Sequence, residues 1–471
     1  MVWLPGEGYD FADARQFDGS FLASLGNVIV ITVQYRVGVF GFLKTNSSAA
    51  GNMGLWDQIM ALKWIRKNAK AIGADADNIT VFGRFTGSMS ISILLTSPVV
   101  RDMSPPLFRR AILLSGIAVG EWVFEHNHQM KAKEFLNQIG CDEKDTNCLK
   151  TISAQNILEK ASYGWRPTFD SDLIEAEPLK VLESGNFANG VTDVMLGTNK
   201  VEGSLCLLTH FASKSRYYDK IINNELTEND FLEMIESDMK MFFNQKHDSN
   251  GTTSYQNRAF ISALVNKNQN SSYRQKYLEF CSSLFITSHM KNFNKLLLKR
   301  QLTKQNDMNT TPTNTFAYEL QYRPSFSIAP SFIDSAIHGD DVLLAFGLIH
   351  GSPVIPNKDD EKMTQLLVQS FTNFATYGNP NGLGPKADNL WLNSDISVIK
   401  TKMESNKTKD NVVSVTQLFL FSSTAEMLIT FLSTSTTILA LLATSLICFI
   451  IFFLHKQRHT TNHYNKDSAL L

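Results

Sequence analysis

The feature that most constrains the fold of this chain is a sharp turn between two glycines, Gly83 and Gly87, that joins a strand to a helix. The residues just before Gly83 are mostly β-branched or aromatic, which is typical of a buried strand. Residues 88–97 carry apolar side chains at helical spacing until Pro98 ends the run. The pattern predicts a tight strand-to-helix turn with Phe85 at its apex, in a fold where strands and helices alternate.

The same alternation continues on both sides of this turn. Residues 28–35 form a nearly continuous β-branched run, which is typical of a strand covered on both faces of a parallel sheet. A helix is predicted over 55–72, ended by Gly73, with strands over 78–82 and 110–116. This order predicts an α/β protein with a doubly wound, mostly parallel sheet and helices on both faces.

Apolar positions within these elements predict the core. Trp3, Trp56 and Trp64 are expected to be buried, because large aromatic side chains contribute strongly to cores. Later strands are predicted over 193–197 and 315–322. The buried stripe of the predicted helix consists of Leu55, Ile59, Leu62, Ile65, Ala69 and Ile72.

The overall composition of the chain argues against some classes of function. The chain has 471 residues, of which 43% are hydrophobic, enough for one large domain or two ordinary ones. Its 44 basic and 45 acidic residues give a net charge of −1, which argues against electrostatic binding of nucleic acid. No histidine or cysteine spacing indicates a metal site, and no cofactor is expected.

An uncharged segment near the end of the chain predicts attachment to a membrane. Residues 427–454 contain no charged side chain, and about 20 apolar residues are enough to span a bilayer. Lys456 and Arg458 follow, as expected on the cytosolic side of a transmembrane helix. The predicted organisation is a globular body over 1–415, a juxtamembrane stretch over 416–426, one C-terminal transmembrane helix over 427–454 and a short cytoplasmic tail over 455–471.

Glycosylation sequons suggest the compartment of the body. They all precede the uncharged segment and lie at Asn46, Asn78, Asn250, Asn270, Asn309 and Asn406. This position agrees with a glycosylated body on the luminal or extracellular side. Such a body needs a secretory leader, yet the chain opens directly on a strand-like run. We therefore expect an upstream part of the gene product to be missing and the body to be incomplete at its N-terminus.

The five cysteines are too few for a disulfide scaffold. Cys141 and Cys148 lie close in sequence and can close a small disulfide loop in an oxidising compartment. Cys206 and Cys281 are interpreted as unpaired small apolar residues, with a disulfide between them left open. Cys448 lies inside the predicted transmembrane segment.

The turn at Phe85 has the glycine spacing of a nucleophile elbow, the motif G-x-S-x-G. In that motif, a serine at the apex of a strained turn attacks a carbonyl carbon. The ring of Phe85 has no lone pair for such an attack. The sequence therefore predicts a nucleophile elbow that has lost its nucleophile.

Several longer blocks resemble one family. Residues 2–395 contain, in order, VWLPGEGYDF, VIVITVQYRVGVFGFL, GNMGLWDQIMALKWIRKNAKAIGADADNITVFG, LFRRAILLSG, LGTNKVEGS and SAIHGDDVLLAFG. These blocks resemble the type-B carboxylesterases and cholinesterases, and the resemblance implies an α/β-hydrolase fold. That family also includes catalytically inactive cell-surface members, such as the neuroligins, neurotactin and glutactin.

The resemblance assigns roles to single positions. Glu202 stands at the position of the triad acid, and His338 at that of the general base. Phe85 occupies the position of the nucleophilic serine. Without a nucleophile no acyl-enzyme forms, and the acid and base have nothing to activate. A buried hydrogen-bonded pair with a structural role is then the simpler interpretation of Glu202 and His338.

The oxyanion hole departs from the family pattern as well. The resemblance places its donors at the backbone N–H groups of Glu7, Gly8 and Thr86. The family's His-Gly-Gly-Gly turn reads Pro-Gly-Glu-Gly at 5–8. The Glu7 carboxylate would oppose the stabilisation of a developing oxyanion. An ion pair between Glu7 and protonated His338 stays open at this point.

Two hydroxyls near the apex offer a substitute nucleophile. Thr86 is β-branched and is expected to direct its hydroxyl away from the apex. Ser88 begins the predicted helix, where a hydroxyl commonly caps backbone N–H groups. Neither is expected to replace the missing serine, because nucleophile and base must lie within hydrogen-bond reach.

The expected function is that of a catalytically inactive, cholinesterase-like, single-pass membrane glycoprotein that recognises a protein partner at the cell surface. Adhesion follows from the resemblance alone. An ester hydrolase with an atypical nucleophile and a truncated paralogue without function are the alternatives. The body is expected on the luminal or extracellular side of the plasma membrane or an endosome, the C-terminus is expected in the cytoplasm, and a homodimer stays open.

Overall fold

In a computed structural model of the chain, the described residues are 1–45, 49–120, 122–142, 144–145, 147–170, 172–212, 214–243, 271–305, 313–347, 356–382 and 396–399. They fall within the unit Met1–Leu418. Within this described part, no helix combines the length and apolar character needed to cross a bilayer. The segment 427–454, the juxtamembrane stretch before it and the tail after it lie outside the described residues.

A parallel sheet of seven strands forms the centre of the described structure. Every neighbouring pair is parallel, and the order across the sheet is β2-β1-β3-β4-β5-β6-β7. This confirms the predicted α/β class. The strands are β1 (Val2–Leu4), β2 (Ile31–Thr32), β3 (Thr80–Arg84), β4 (Arg110–Leu114), β5 (Asp193–Asn199), β6 (Asn314–Leu320) and β7 (Ile396–Ile399).

Helices connect the strands, because parallel neighbours need crossover connections. A π-helical stretch, Ser283–Thr287, joins the helices named α13 and α14 below, and the 3-10 turns are Ala14–Gln16 and Ala69–Ile72. The α-helices are α1 (Ser20–Gly26), α2 (Gly38–Phe42), α3 (Met53–Asn68), α4 (Thr86–Thr96), α5 (Pro98–Arg101), α6 (His128–Ile139), α7 (Cys148–Thr151), α8 (Ala154–Lys160), α9 (Pro178–Glu183), α10 (Ser204–Ala212), α11 (Tyr218–Asn223), α12 (Glu228–Phe243), α13 (Tyr273–Ser282), α14 (Ser288–Gln305), α15 (Asp340–Ala345) and α16 (Lys358–Tyr377).

The sheet separates two apolar clusters, because successive side chains of a strand point to opposite faces. Val81 of β3 and Leu113 of β4 belong to the cluster that contains residues of α3 and α4. Their neighbours Phe82 and Leu114 belong to the cluster that contains residues of α1, α15 and α16. Helices therefore cover both faces of the sheet, as a doubly wound fold requires.

The strand predicted over 28–35 is much shorter in the structure. Only Ile31–Thr32 forms strand β2, and it lies at the end of the strand order. Its neighbour β1 spans three residues, so few backbone groups are available for pairing. Ile29 is exposed, so the prediction that this run is covered on both faces is wrong.

Helix α3 and the turn that follows it confirm most of the predicted buried stripe. Gly73 ends this segment in the left-handed conformation. The exception is Ile72, which is exposed. The buried members of the stripe are Leu55, Ile59, Leu62, Ile65 and Ala69.

Two of the three tryptophans predicted to be buried lie at the surface. Trp3 is fully buried, as predicted, but the exposed fractions of Trp56 and Trp64 are 37% and 57%. Met60 lies between them with an exposed fraction of 66%. Because residues four apart share a face of a helix, these side chains form a second stripe, distinct from the buried one.

Two disulfides are present among the described residues. Cys141 and Cys148 are bonded, as predicted. Cys206 and Cys281 are also bonded, which corrects their interpretation as unpaired residues. Their separation of 75 residues hid the contact in the sequence, and the packing of α10 against α13 creates it.

The glycosylation predictions fall mostly outside the described residues. Asn78 is half-buried, and its side-chain carbonyl accepts a hydrogen bond from the Arg110 guanidinium. The other five predicted sites lie outside the described residues. They are Asn46, Asn250, Asn270, Asn309 and Asn406.

A buried ion pair links the strands at the amino-terminal edge of the sheet. Arg110 Nε lies 2.9 Å from Asp193 Oδ2, and both side chains are 6% exposed. The same guanidinium donates to the carbonyl of Ala375 in α16, and Asn314 of β6 donates to the other oxygen of Asp193. One charge pair thus joins β4, β5, β6 and α16.

We predict that Asp193→Ala lowers the free energy of unfolding by about 3–5 kcal/mol, because it leaves the buried Arg110 charge without its partner. The matched control is Lys362→Ala, which breaks the exposed pair with Asp359. That change is expected to cost less than about 1 kcal/mol. Urea denaturation of both variants measures the difference, and equal losses would contradict the assignment.

Candidate functional site

The sequence motifs meet where the strands end. Strand β3 ends directly before Phe85, and β5 ends three residues before Glu202. The carboxyl ends of parallel strands lie at one edge of the sheet, where ligands bind in open α/β folds. This edge is the candidate functional site.

Phe85 forms the apex of a strained turn between β3 and α4. Its φ and ψ are 50° and −116°, a conformation that non-glycine residues rarely adopt. Strain of this kind costs on the order of 1–3 kcal/mol and persists only when the surroundings enforce it. Here the Phe85 N–H donates to the Leu114 carbonyl at 2.9 Å, and its own carbonyl accepts from the Met89 N–H at 2.8 Å.

Backbone-to-backbone packing encloses this turn. A Cβ on Gly87 would lie 2.0 Å from the Leu4 carbonyl oxygen, and one on Gly6 would lie 1.9 Å from the Gly87 nitrogen. On the other side, a Cβ on Gly116 would lie 2.5 Å from the Phe85 carbonyl oxygen. Only glycine permits such close approach, so the elbow is held by its neighbours without help from a serine.

The structure brings Glu202 and His338 together, although they lie far apart in sequence. His338 Nδ1 is 2.6 Å from Glu202 Oε2. Glu202 lies just before α10, and His338 lies just before α15. The His338 backbone N–H donates to Ser204 Oγ at 3.1 Å, which fixes the loop that carries the imidazole. The geometry is that of an acid that orients a base.

Glu202 is fully buried and its carboxylate is well satisfied. Its Oε1 accepts hydrogen bonds from Ser115 Oγ at 2.6 Å and from the Asn199 backbone N–H at 2.6 Å. Since His338 contacts the other oxygen, both carboxylate oxygens have partners. A buried carboxylate needs such partners whether or not the site is catalytic.

The ring of Phe85 lies beside the imidazole of His338. Its centroid is 5.4 Å from that of His338 in an edge-to-face arrangement. It also stacks on Trp122 at 5.9 Å, and Trp122 packs edge-to-face against Phe285 at 5.5 Å. Aromatic pairs of this kind contribute about 0.5–1.5 kcal/mol each. The apex residue has become part of an aromatic cluster.

Glu7 forms an ion pair with Arg84, a residue of the elbow itself. Its carboxylate forms a short, mostly buried ion pair with the guanidinium of Arg84, the residue before the apex. This corrects the hypothesis that Glu7 pairs with His338, whose Nδ1 contacts Glu202 instead. The Arg84 guanidinium also lies against Gly339, where a Cβ would be 2.4 Å from Nη1.

The other two positions predicted for the oxyanion hole, Gly8 and Thr86, lie in the same region. Gly8 has a φ of 73°, a conformation that favours glycine. Thr86 is buried at the start of α4, and its hydroxyl accepts a hydrogen bond from the Tyr9 N–H at 3.3 Å. Positions Glu7, Gly8 and Thr86 are thus close to the elbow, while the charged pair of Glu7 and Arg84 lies among them.

The two hydroxyls considered as substitute nucleophiles have structural partners. Ser88 is fully buried and donates to the Gly116 carbonyl at 2.6 Å, so the predicted capping role is replaced by a bond to the neighbouring loop. The Thr86 hydroxyl contacts the Tyr9 backbone. Neither residue stands at the apex of the turn, which is Phe85.

A comparison with known sequences decides the family. The sequence model of the carboxylesterase family matches residues 1–417. The chain belongs to the carboxylesterase family. Human bile salt-activated lipase is 28% identical over 441 residues, which cover 87% of this chain and 55% of that protein. Human neuroligin-3 is 30% identical over 399 residues, which cover 81% of this chain and 44% of that protein.

Other relatives agree with this membership. Mouse cholinesterase is 28% identical over 405 residues, which cover 81% of this chain and 62% of that protein. The chain spans about half the length of the first curated relatives it matches. Among solved structures, a thermophilic PNB esterase has a TM-score of 0.60 at 23% identity, with 83% of this chain and 73% of that chain covered. That similarity shows the α/β-hydrolase fold.

No signal in the sequence pointed to the polar groups behind Glu202 and His338. Asp341 accepts from the Asn199 side chain at 3.0 Å and from the Tyr318 hydroxyl at 2.7 Å. Burial, with the Glu202 carboxylate nearby, raises the pKa of Asp341. Asn199 ends β5 three residues before Glu202, and only the folded structure brings the distant Asp341 to it. Arg84 was detectable, since it is the cation next to the apex.

We predict that the Glu7–Arg84 pair behaves as one unit in a double-mutant cycle. Glu7→Gln and Arg84→Gln should each lower the free energy of unfolding by about 3–5 kcal/mol, because each leaves a mostly buried charge unpaired. The double variant should recover much of that loss. Urea denaturation measures all three, and losses that add within about 0.5 kcal/mol would show that the pair is not coupled.

Proposed function

We propose that this carboxylesterase-family chain is a catalytically inactive membrane glycoprotein that recognises a protein partner at the cell surface. The observation that carries the proposal is Phe85 at the apex of an otherwise intact elbow, with its ring packed between Trp122 and His338. In this proposal, residues 427–454 anchor the body to the membrane as a single span, and the sequons carry glycans.

The absence of a nucleophile at the apex accounts for the inactivity. Covalent catalysis by this fold needs a side-chain oxygen within reach of the base. Phe85 carries no such atom, and the neighbouring Thr86 and Ser88 hydroxyls are buried in contacts with the backbone. Glu202 and His338 then serve as a buried hydrogen-bonded pair that fixes two loops at the edge of the sheet.

The region predicted for the oxyanion hole is a second obstacle to ester hydrolysis. Tetrahedral intermediates are stabilised by N–H donors aimed at the developing charge, and one such donor contributes about 2.7–4 kcal/mol. Here the Glu7 carboxylate lies in the corresponding loop with Arg84 bound to it. Even a restored serine would face a region whose polar groups already satisfy each other.

Similarity to neuroligin-3 supports the recognition role. The matched residues cover 81% of this chain at 30% identity, and the neuroligins are the inactive cell-surface members to which the sequence blocks are similar. Fold alone does not determine function, so recognition rather than hydrolysis is inferred from the altered site together with this similarity. A protein at the surface of another cell is the proposed partner, and a homodimer on the same membrane is compatible with it.

We predict that the full chain forms no covalent adduct with an organophosphate probe and does not turn over a carboxylic ester. Phe85→Ser should label at least about 100-fold more slowly than mouse cholinesterase, because one disrupted oxyanion donor costs that much. Phe85→Ser/Glu7→Gly/Arg84→Gln should label faster than the single variant. Intact-protein mass spectrometry measures the adduct.

The control for this series is Phe85→Ser/His338→Ala, which should not label because the base is gone. Labelling of the unaltered chain at any side chain would overturn the inactive assignment. Full-rate labelling of Phe85→Ser alone would show instead that the oxyanion hole is intact and that only the nucleophile was lost.

We further predict that cells displaying the full chain adhere to other cells through a protein on them. His338→Ala should leave adhesion unchanged, because the proposed role does not use the base. Asp193→Ala, predicted to be less stable, should reduce adhesion in proportion to lost surface protein. Mixed-cell aggregation with surface quantification measures both, and failure to aggregate with every cell type tested, including cells displaying the same chain, would count against the recognition role.

A further inference from the structure

Three buried side chains from separate helices converge next to the candidate site. Cys206 lies on α10, Asp238 on α12 and Cys281 on α13. Their two sulfurs and a carboxylate oxygen all lie within 4.8 Å of one another, and each residue is at most 2% exposed. Within the described part of the chain, no other group of three metal-ligating residues is this close.

A second layer of hydrogen bonds orients the carboxylate. The Tyr277 hydroxyl donates to Asp238 Oδ2 and lies 3.0 Å from His210 Nε2. The other ring nitrogen of His210 lies 3.0 Å from Ser215 Oγ. Metal-ligating carboxylates are usually held by outer partners of this kind, which fix the oxygen that faces the metal.

The donor set specifies the class of metal. Two cysteine sulfurs are soft ligands, and they favour Zn²⁺ over hard cations such as Ca²⁺ and Mg²⁺. One carboxylate oxygen completes three protein ligands, and a fourth position remains for water or a further side chain. Tetrahedral zinc sites accept this mixture of sulfur and oxygen ligands.

We propose that the reduced chain binds Zn²⁺ through Cys206 Sγ, Cys281 Sγ and the Asp238 carboxylate. In the structure the two sulfurs are bonded to each other, so the disulfide and the metal are alternative cross-links at the same place. The disulfide joins α10 and α13, and zinc would join α12 to them as well. The proposal is independent of whether the chain hydrolyses esters or binds a partner.

A phosphine reductant accounts for the atoms and electrons when the disulfide is replaced by the zinc site. The phosphine and one water molecule convert the disulfide into two thiols, and the phosphine becomes a phosphine oxide. Each thiol then loses its proton as it binds Zn²⁺, so the two thiols together release two protons per metal bound. The redox state of the surroundings thus decides which cross-link holds these helices.

The position of this site connects it to the triad acid. Glu202 lies four residues before Cys206, and the Gly203 N–H donates to Ser282 Oγ, next to Cys281, at 2.7 Å. A cross-link between Cys206 and Cys281 therefore steadies the loop that carries Glu202. Zinc would take over this role when the disulfide is reduced.

The experiment uses the purified full chain, reduced with tris(2-carboxyethyl)phosphine without oxygen. We expect the reduced chain to take one Zn²⁺ from a chromophoric chelator and the oxidised chain to take none. With Co²⁺ as a spectroscopic probe, thiolate-to-cobalt charge-transfer absorption should appear. Asp238→Asn should weaken binding at least about tenfold, and Cys206→Ser/Cys281→Ser should abolish it.

The matched control is Cys141→Ser/Cys148→Ser, which removes the other disulfide and should bind as the unaltered chain does. Circular dichroism checks that each reduced sample is folded. The proposal fails if the reduced, folded chain gives no charge-transfer absorption, or if binding survives in Cys206→Ser/Cys281→Ser. It also fails if the reduced chain unfolds equally with and without Zn²⁺, since the metal would then not replace the disulfide.

Discussion

Three backbone segments meet at the elbow with no side chain between them, and the arrangement of the site follows from this contact. Gly6 and Gly87 approach so closely that a methyl group on either would overlap the other segment, and a methyl group on Gly116 would overlap the backbone of Phe85. This packing holds residue 85 at a strained φ of 50°. The shape of the turn therefore depends on this backbone packing, and the aromatic side chain of Phe85 stands at its apex.

The contact between Glu202 and His338 has a structural reason of its own. A buried carboxylate without partners costs several kcal/mol, and Glu202 is buried with its oxygens bonded to His338, Ser115 and Asn199. Removing either member of the Glu202–His338 pair would leave a polar group unsatisfied even in a protein that performs no chemistry. The pair is therefore compatible with an inactive role.

The ion pair near the elbow likewise gives each buried charge a partner. The Glu7 carboxylate would be costly if it were buried alone, and Arg84 supplies the neutralising charge. The disulfide between Cys206 and Cys281 then anchors the helix that begins just after Glu202. The loops that carry Glu7, Glu202 and His338 are thus held by an ion pair, a hydrogen-bonded pair and a covalent link.

The sequence by itself determined the α/β class, the elbow with phenylalanine at its apex and the buried face of α3, because these depend on local spacing and residue type. Only the tertiary structure decided the Glu7–Arg84 pair, the Cys206–Cys281 bond and the exposure of Trp56 and Trp64. Such contacts join residues distant in the chain or depend on which helix faces remain uncovered. Local periodicity does not reveal contacts between distant residues. It does not reveal exposure either, because the burial of a side chain is set by the neighbouring elements and not by its own hydrophobicity.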